Sequence, residues 1–224
     1  MIAVLDYGIG NLRSAEKALQ HVGGDARLVT TAEQARGARG VVLPGVGAFG
    51  RAMDALRASG LDRVALAAID SGTPFLGICV GLQLLFAGSQ ESPGVAGLGV
   101  FDSTVVRLGG DVKLPQMQWN RLEVVGGRRA ESLVDQTPSP WMYFVHSYAA
   151  PAHDPAVVAT CDYGGPVAAL VEVDNVWATQ FHPEKSAAAG LTLLRRFVDR
   201  VSGVDAVDRV SGVDAVDRVS GVDA

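Results

Sequence analysis

A cysteine set between two glycines, where an apolar strand gives way to a helix, is a recognisable device for covalent chemistry. Residues 77–81 of this chain read Gly77-Ile78-Cys79-Val80-Gly81. This is the form of a nucleophile elbow with sulfur in place of the serine hydroxyl. A sharp strand-to-helix turn crowds the side chain against the backbone, and glycines two positions before and after relieve the crowding. The thiol would stand out over the sheet edge at a helix N-terminus, where partial positive charge favours thiolate over thiol. A buried structural cysteine is the plain alternative, and the motif alone leaves the two readings about even. The second signal is Gln180-Phe181-His182-Pro183-Glu184-Lys185, directly after a strand. A nucleophilic thiol needs a base to take its proton and return it to the leaving group, and a carboxylate to fix the tautomer of that base. His182 and Glu184 stand two apart across a proline that stiffens the loop. By itself the pair reads as a polar loop; its weight comes from the elbow, because a parallel sheet brings the carboxyl ends of its strands to one edge. The third signal is Leu43-Pro44-Gly45-Val46-Gly47, a turn able to present backbone N–H groups to a developing oxyanion or to serve only as a turn. Gln83 follows Cys79 by four residues and falls on the same helical face. Glu91 lies in the polar loop beyond, where it could close over a substrate amine.

Alternating strands and helices position these groups. Strands are expected at 2–5, 27–30, 40–43 and 74–78, with helices from Leu12 to Val22, around Phe49 to Leu56, over 61–69 and over 80–87. From about Val100 the pattern turns β-rich, with strands at 103–108, 121–125, 142–145, 156–160, 167–173 and 176–180, and a last helix over 186–200. Alternation of this kind predicts an α/β fold with a mostly parallel central sheet, helices on both faces and an antiparallel extension. No Pro/Gly/Ser linker divides the chain, so one domain is expected over 1–206. Residues 198–206 read VDRVSGVDA, and 207–215 and 216–224 repeat that string unchanged. Valine every third residue drifts around a helix and holds no face, and three nine-residue copies cannot enclose a core. The last two copies, 207–224, are therefore expected to be an appended, disordered tail without chemistry.

Composition narrows the function. Lys plus Arg is 19 against 24 Asp plus Glu, a formal net charge of −5, which disfavours binding to a phosphate backbone. The longest near-apolar stretch, 75–88, contains Gln83 and falls short of the ~20 residues that cross a bilayer. Asp6 interrupts the first apolar run and no basic segment precedes it, so no secretory signal is expected. Two cysteines, Cys79 and Cys161, fit a reducing cytoplasm better than a disulfide scaffold. Four histidines with neither H-x-x-x-H nor C-x-x-C spacing set a metal site aside, and His146 reads as a hydrogen-bonded strand residue.

GICVGLQ around Cys79, the PGVG turn and FHPEK with His182 and Glu184 resemble the triad-type, class I glutamine amidotransferases. Within that family, VLDYGIGNL (4–12), LPGVGAFG (43–50), LPQMQWN (114–120), YFVHSY (143–148) and TQFHPEKS (179–186) are similar to the glutaminase subunits of imidazole glycerol phosphate synthases, of histidine biosynthesis. The resemblance runs in order to about residue 200 and implies a flavodoxin-like fold. It implies Cys79 as nucleophile, His182 as acid and base, and Glu184 as its orienting partner. It also implies an oxyanion hole from Val80 and the Val46-Gly47 turn, a turn that rearranges when the partner is loaded. Gln83 and Glu91 would hold the amino-acid end of glutamine, helped by backbone at Ser147 and Tyr148. Asn11, Trp119, Tyr143 and Lys185 would face the partner and the ammonia exit, although Trp119 and Tyr143 also suit a core edge. No cofactor is implied. The implied partner is a separate (β/α)8-barrel cyclase, forming a heterodimer. A glutaminase for vitamin B6 or anthranilate synthesis and a non-catalytic amidotransferase-like regulator are the alternatives. One departure stands out: the family segment Pro-His-Met-Gly-Trp-Asn is here Pro115-Gln116-Met117-Gln118-Trp119-Asn120, and Gln118 in place of glycine matters if that backbone needs a positive φ.

Overall fold

The computed structural model describes residues 1–125 and 140–203. The expected tail at 207–224 therefore lies outside the described residues, as does the end of the expected domain at 204–206. In chain order the first half runs β1 (Ile2–Leu5), α1 (Leu12–His21), β2 (Ala26–Val29), β3 (Gly40–Gly45), α2 (Phe49–Ser59), α3 (Leu61–Asp70), β4 (Phe75–Cys79), α4 (Val80–Gln83), β5 (Phe86–Ser89) and β6 (Phe101–Arg107). The second half is richer in strand: β7 (Gln116–Arg121), β8 (Glu123–Val124), β9 (Trp141–His146), β10 (Tyr148–Ala149), β11 (Val157–Asp162), β12 (Pro166–Val173) and β13 (Val176–Thr179). A 3-10 turn at Pro183–Lys185 then leads into α5 (Ala187–Ser202).

The main sheet has eight strands in the order β2-β1-β3-β4-β13-β12-β11-β8. The first five pair in parallel, and β12, β11 and β8 extend the sheet antiparallel. The α/β class and the antiparallel extension are thus as expected. Every residue of β1, β3, β4 and β13 is buried, the mark of strands covered on both faces. Helix α5 clamps β13 through Trp177, whose ring meets Phe197 edge-on at 6.0 Å and carries the Arg200 guanidinium at 4.3 Å. This fixes the strand that leads into His182.

The register decides where the chemistry sits. Gly45 pairs with Cys79 across β3 and β4, and Ile78 pairs with Thr179 across β4 and β13. The ends of three adjacent parallel strands thus open onto one carboxyl edge, where α/β folds of this type place their ligands.

Two expectations are corrected. The helix expected over 80–87 is a single turn, and the chain passes at Phe86 into β5, which pairs in parallel with β6. Leu82, Leu84, Leu85 and Phe86 are all fully buried, so the segment has no polar face to reveal its period. The backbone of 97–101 also claims its carbonyls: Leu98, Val100 and Gly97 N–H groups donate to Leu84, Leu85 and Ala87. The strand expected at 121–125 is shorter, the two-residue β8 paired with β11 at the end of the main sheet, and it is preceded by an unexpected strand, β7, which pairs antiparallel with β9 in a two-stranded ribbon outside the main sheet.

Candidate active site

Cys79 occupies the last position of β4 with φ +56° and ψ −111°, and is 4% exposed. So sharp a reversal demands the flanking glycines. A Cβ on Gly81 would stand 1.8 Å from the Leu43 carbonyl oxygen, and one on Gly77 would lie 3.1 Å from the Gly81 oxygen and the Leu82 nitrogen. The elbow is thus wedged directly against β3. The helix behind it has only four residues, so what it can offer the sulfur is its first-turn N–H groups rather than a sizeable macrodipole.

His182 arrives from β13 with both backbone groups engaged. Its N–H donates to the Tyr143 carbonyl, 3.0 Å, and its carbonyl accepts from Lys185 N–H at 3.0 Å. Its Nδ1–H donates to Glu184 Oε1 at 2.7 Å, with both side chains 3% exposed. The carboxylate can only accept here, which fixes the tautomer and leaves Nε2 for the sulfur. Burial pulls this imidazole down, but hydrogen bonds with Cys79 and Glu184, and the negative charge of both, push it up to about 10. At neutral pH the ring therefore holds its proton beside the sulfur, where it could serve as a general acid.

The cavity above the sulfur measures about 210 Å³, room for roughly seven waters at ~30 Å³ each. That is the scale of a small amino acid. Cys79, His182, Val46, Gly47 and Val80 line it, and Gly47 has φ +82°. Gln83, Glu91, Ser147 and Tyr148 line it too, but with part of their capacity already used. Gln83 Nε2 donates to the Tyr148 carbonyl at 2.8 Å and to Gln180 Oε1 at 3.1 Å; its own carbonyl oxygen is what a ligand could use. Glu91 Oε2 accepts the Phe49 N–H at 2.7 Å, and Ser92 Oγ accepts that of Gly50 at 3.0 Å, so this loop also closes the start of α2. The Ser147 carbonyl accepts from Leu108 N–H and the Tyr148 carbonyl from His146 Nδ1–H, which leaves amide N–H groups, not carbonyls, for a bound molecule. His146 lines the cavity as a neutral acceptor, since burial, outweighing the Tyr148 contact, pushes its ring down to about 4.

Sequence reasoning passed over three residues. Tyr7 is 6% exposed and donates to the Pro44 carbonyl at 2.7 Å, backing the Gly45-Val46-Gly47 turn; burial and then the charge of Cys79 push its phenol above the ordinary tyrosine range. Gln180 Nε2 approaches Cys79 Sγ at 3.8 Å and so links the sulfur to Gln83. Ser186 is buried behind His182. All three lie inside motifs that had drawn attention, but nothing in their spacing announced a contact.

The residues expected to face a partner lie on β7, β9, the β1–α1 connection and the 183–185 turn, and that turn packs against both α1 and β9. Trp119 and Tyr143 pair across β7 and β9 with rings 6.1 Å apart, and Lys185 lines the cavity. Asn11 is exposed in the β1–α1 connection, accepting from Ser14 Oγ at 2.9 Å. The outer face of the ribbon is apolar: Met117, Trp119 and Trp141 are 65%, 45% and 54% exposed. Their period of two in M-x-W and W-x-Y was the signal available for Met117 and Trp141. Gln118 sits in extended β7 and is absent from the positive-φ residues, so no glycine is required there. Gln116 is buried with Nε2 3.5 Å from Cys161 Sγ. Among the described residues no group of three His, Cys, Asp or Glu could hold a metal ion, and no helix is long and apolar enough to cross a membrane.

Comparison with known proteins matches the class I glutamine amidotransferase family model to residues 3–201. The chain is 48% identical over 199 residues to imidazole glycerol phosphate synthase subunit HisH of Methanothermobacter thermautotrophicus, covering 89% of this chain and 98% of that protein. It is 44% identical over 210 residues to the subunit of the same name from Geobacillus thermodenitrificans, covering 91% and 97%. In backbone it is similar to a crystal structure of a glutamine amidotransferase, TM-score 0.69 at 24% identity, covering 91% of this chain and 99% of that one. PurLQS from Thermotoga maritima gives TM-score 0.69 at 18% identity, covering 89% and 98%.

Proposed function

The chain belongs to the class I glutamine amidotransferases, and from that premise we propose that it is the glutaminase subunit of an imidazole glycerol phosphate synthase in histidine biosynthesis. The observation that carries the reading is an imidazole that Glu184 orients at 2.7 Å and that lines, together with Cys79, one amino-acid-sized cavity. The Cys79 thiolate attacks the side-chain amide carbon of glutamine, forming a C–S bond. The oxyanion is received by N–H groups of Val80 and the Val46-Gly47 turn. His182 protonates the nitrogen as the C–N bond breaks and ammonia leaves. The same imidazole then takes a proton from water, which attacks the thioester and releases glutamate and the thiol. Glu184 holds the tautomer throughout. Gln83 and Glu91 hold the α-amino and α-carboxylate end of glutamine, helped by backbone at Ser147 and Tyr148.

Ammonia in bulk water becomes ammonium, which is not nucleophilic, so it must pass to the next reaction inside protein. The exposed tryptophan ribbon beside the cavity fits a docking face with an apolar core. Its partner is a (β/α)8-barrel cyclase, joined as a heterodimer, which uses the ammonia to release imidazole glycerol phosphate and aminoimidazole carboxamide ribonucleotide. Cytoplasmic location fits the two buried free thiols. Residues 1–206 form the catalytic domain, 207–224 being an addition, so truncation after Ala206 leaves activity unchanged.

The test is glutaminase activity of wild type and Cys79→Ala, with and without a barrel partner carrying its nucleotide ligand. Near silence alone, strong activation in the loaded complex and complete loss in the variant are expected. A loaded wild-type complex that leaves glutamine intact, with Cys79 not alkylated by a glutamine-analogue electrophile, would show a non-catalytic protein instead.

A further inference from the structure

Ser186 stands at the N-cap position of α5, where a serine side chain ordinarily accepts a hydrogen bond from the first turn of its helix. Here it makes no such bond. Its Oγ, in a residue 1% exposed, instead accepts the Tyr143 N–H at 3.0 Å and donates to the His182 carbonyl at 2.6 Å. The direction is unambiguous, since an amide can only donate and a carbonyl can only accept. The ring closes through His182 N–H, which donates to the Tyr143 carbonyl at 3.0 Å. Both backbone groups of Tyr143 thus run to the segment that carries the imidazole, one directly and one through a single hydroxyl.

The surroundings leave this ring little slack. A Cβ on Gly190 would lie 1.9 Å from the Pro183 carbonyl oxygen and 2.8 Å from Ser186 Cβ, so α5 presses on the turn from behind. On the other side, the Tyr143 ring meets Trp119 on the outer face of the ribbon. We propose that Ser186 is a positioning residue that holds His182 against Cys79 and ties it to β9, so that a partner seated on the ribbon acts directly on the placement of the imidazole. The inference rests on the glutaminase reading above.

The experiment uses the loaded complex and compares wild type with Ser186→Ala and Ser186→Thr. For Ser186→Ala we expect kcat to fall about tenfold, the scale of a lost buried hydrogen bond to a catalytic group. The KM for glutamine should stay within twofold, and the alkaline limb of kcat/KM should move to lower pH as the imidazole slips from its partners. Ser186→Thr keeps the hydroxyl and should keep both kcat and the limb near wild type. Unchanged kcat in Ser186→Ala, a loss shared by kcat and KM with the limb in place, or a displaced limb in Ser186→Thr overturns the assignment. Activity of the wild-type complex and its absence in Cys79→Ala, read in the same assay, test the underlying reaction separately.

Discussion

Replacing Glu184 with glutamine separates charge from geometry in the proposed triad. The variant keeps a carbonyl oxygen to accept His182 Nδ1–H and loses only the negative charge. Three influences act on the imidazole: burial lowers it, while Cys79 and Glu184 raise it to about 10. A hydrogen bond to a charged group is worth about 1.5–3 kcal/mol, or roughly one to two pH units at 1.36 kcal/mol each. His182 should therefore titrate at about 8–9 in Glu184→Gln. The protonated ring is the form that expels ammonia, so the rate falls as pH rises through its pKa, and the alkaline limb of kcat/KM should move down by the same amount. At pH 9 the variant should lose roughly another twofold to tenfold relative to its deficit at pH 7. The site-specific check is nuclear magnetic resonance of the labelled His182 ring in wild type, Glu184→Gln, Cys79→Ser and the double variant. With both charges gone and burial the largest influence left, the double variant should titrate lower than either single variant. A ring that titrates at the same pH with and without Glu184 refutes this account of the site.

Three further perturbations follow from the packing. Gly81→Ala places a Cβ against the Leu43 carbonyl, 1.8 Å away and unable to rotate aside; we expect Cys79 to lose its reaction with a glutamine-analogue electrophile and the melting temperature to fall by about 5–10 °C. Glu91→Gln keeps an acceptor for the Phe49 N–H and removes the charge offered to the substrate amine, so KM should rise about tenfold with thermal stability unchanged, whereas Glu91→Ala should lower both affinity and melting temperature. Trp119→Ala should weaken cyclase binding about tenfold by titration calorimetry while the residual glutaminase activity of the isolated chain stays constant.

Which candidate residues would gather at one cavity was more legible in the sequence than the scaffolding around them. Cys79 and Gly45 end continuous apolar strands and His182 comes three positions after another, and one sheet edge collects such positions whatever the detailed packing. The 80–87 segment misled because an apolar run buried on all sides carries no period, and its fate was settled by carbonyls claimed from residues 97–101. The contacts of Glu91 with Phe49, Tyr7 with Pro44 and Ser186 with Tyr143 span 37 to 43 positions, and side-chain bonds to distant backbone leave no local pattern. The ribbon lay between these cases: its alternation was written in Met117, Trp119, Trp141 and Tyr143, but β7 alternates exposed with exposed over 117–119 and so does not read as a strand with one buried face.

The contorted backbone at Cys79, with φ +56° and ψ −111°, restricts which nucleophiles this scaffold could ever adopt. A side chain with one heavy atom beyond Cβ can be accommodated, so serine could replace cysteine and the thioester become an oxygen ester. A second branch on Cβ is what such torsions refuse. Threonine is thereby barred from position 79, and any evolutionary path from this enzyme toward secondary-alcohol chemistry has to begin by dismantling the bend itself.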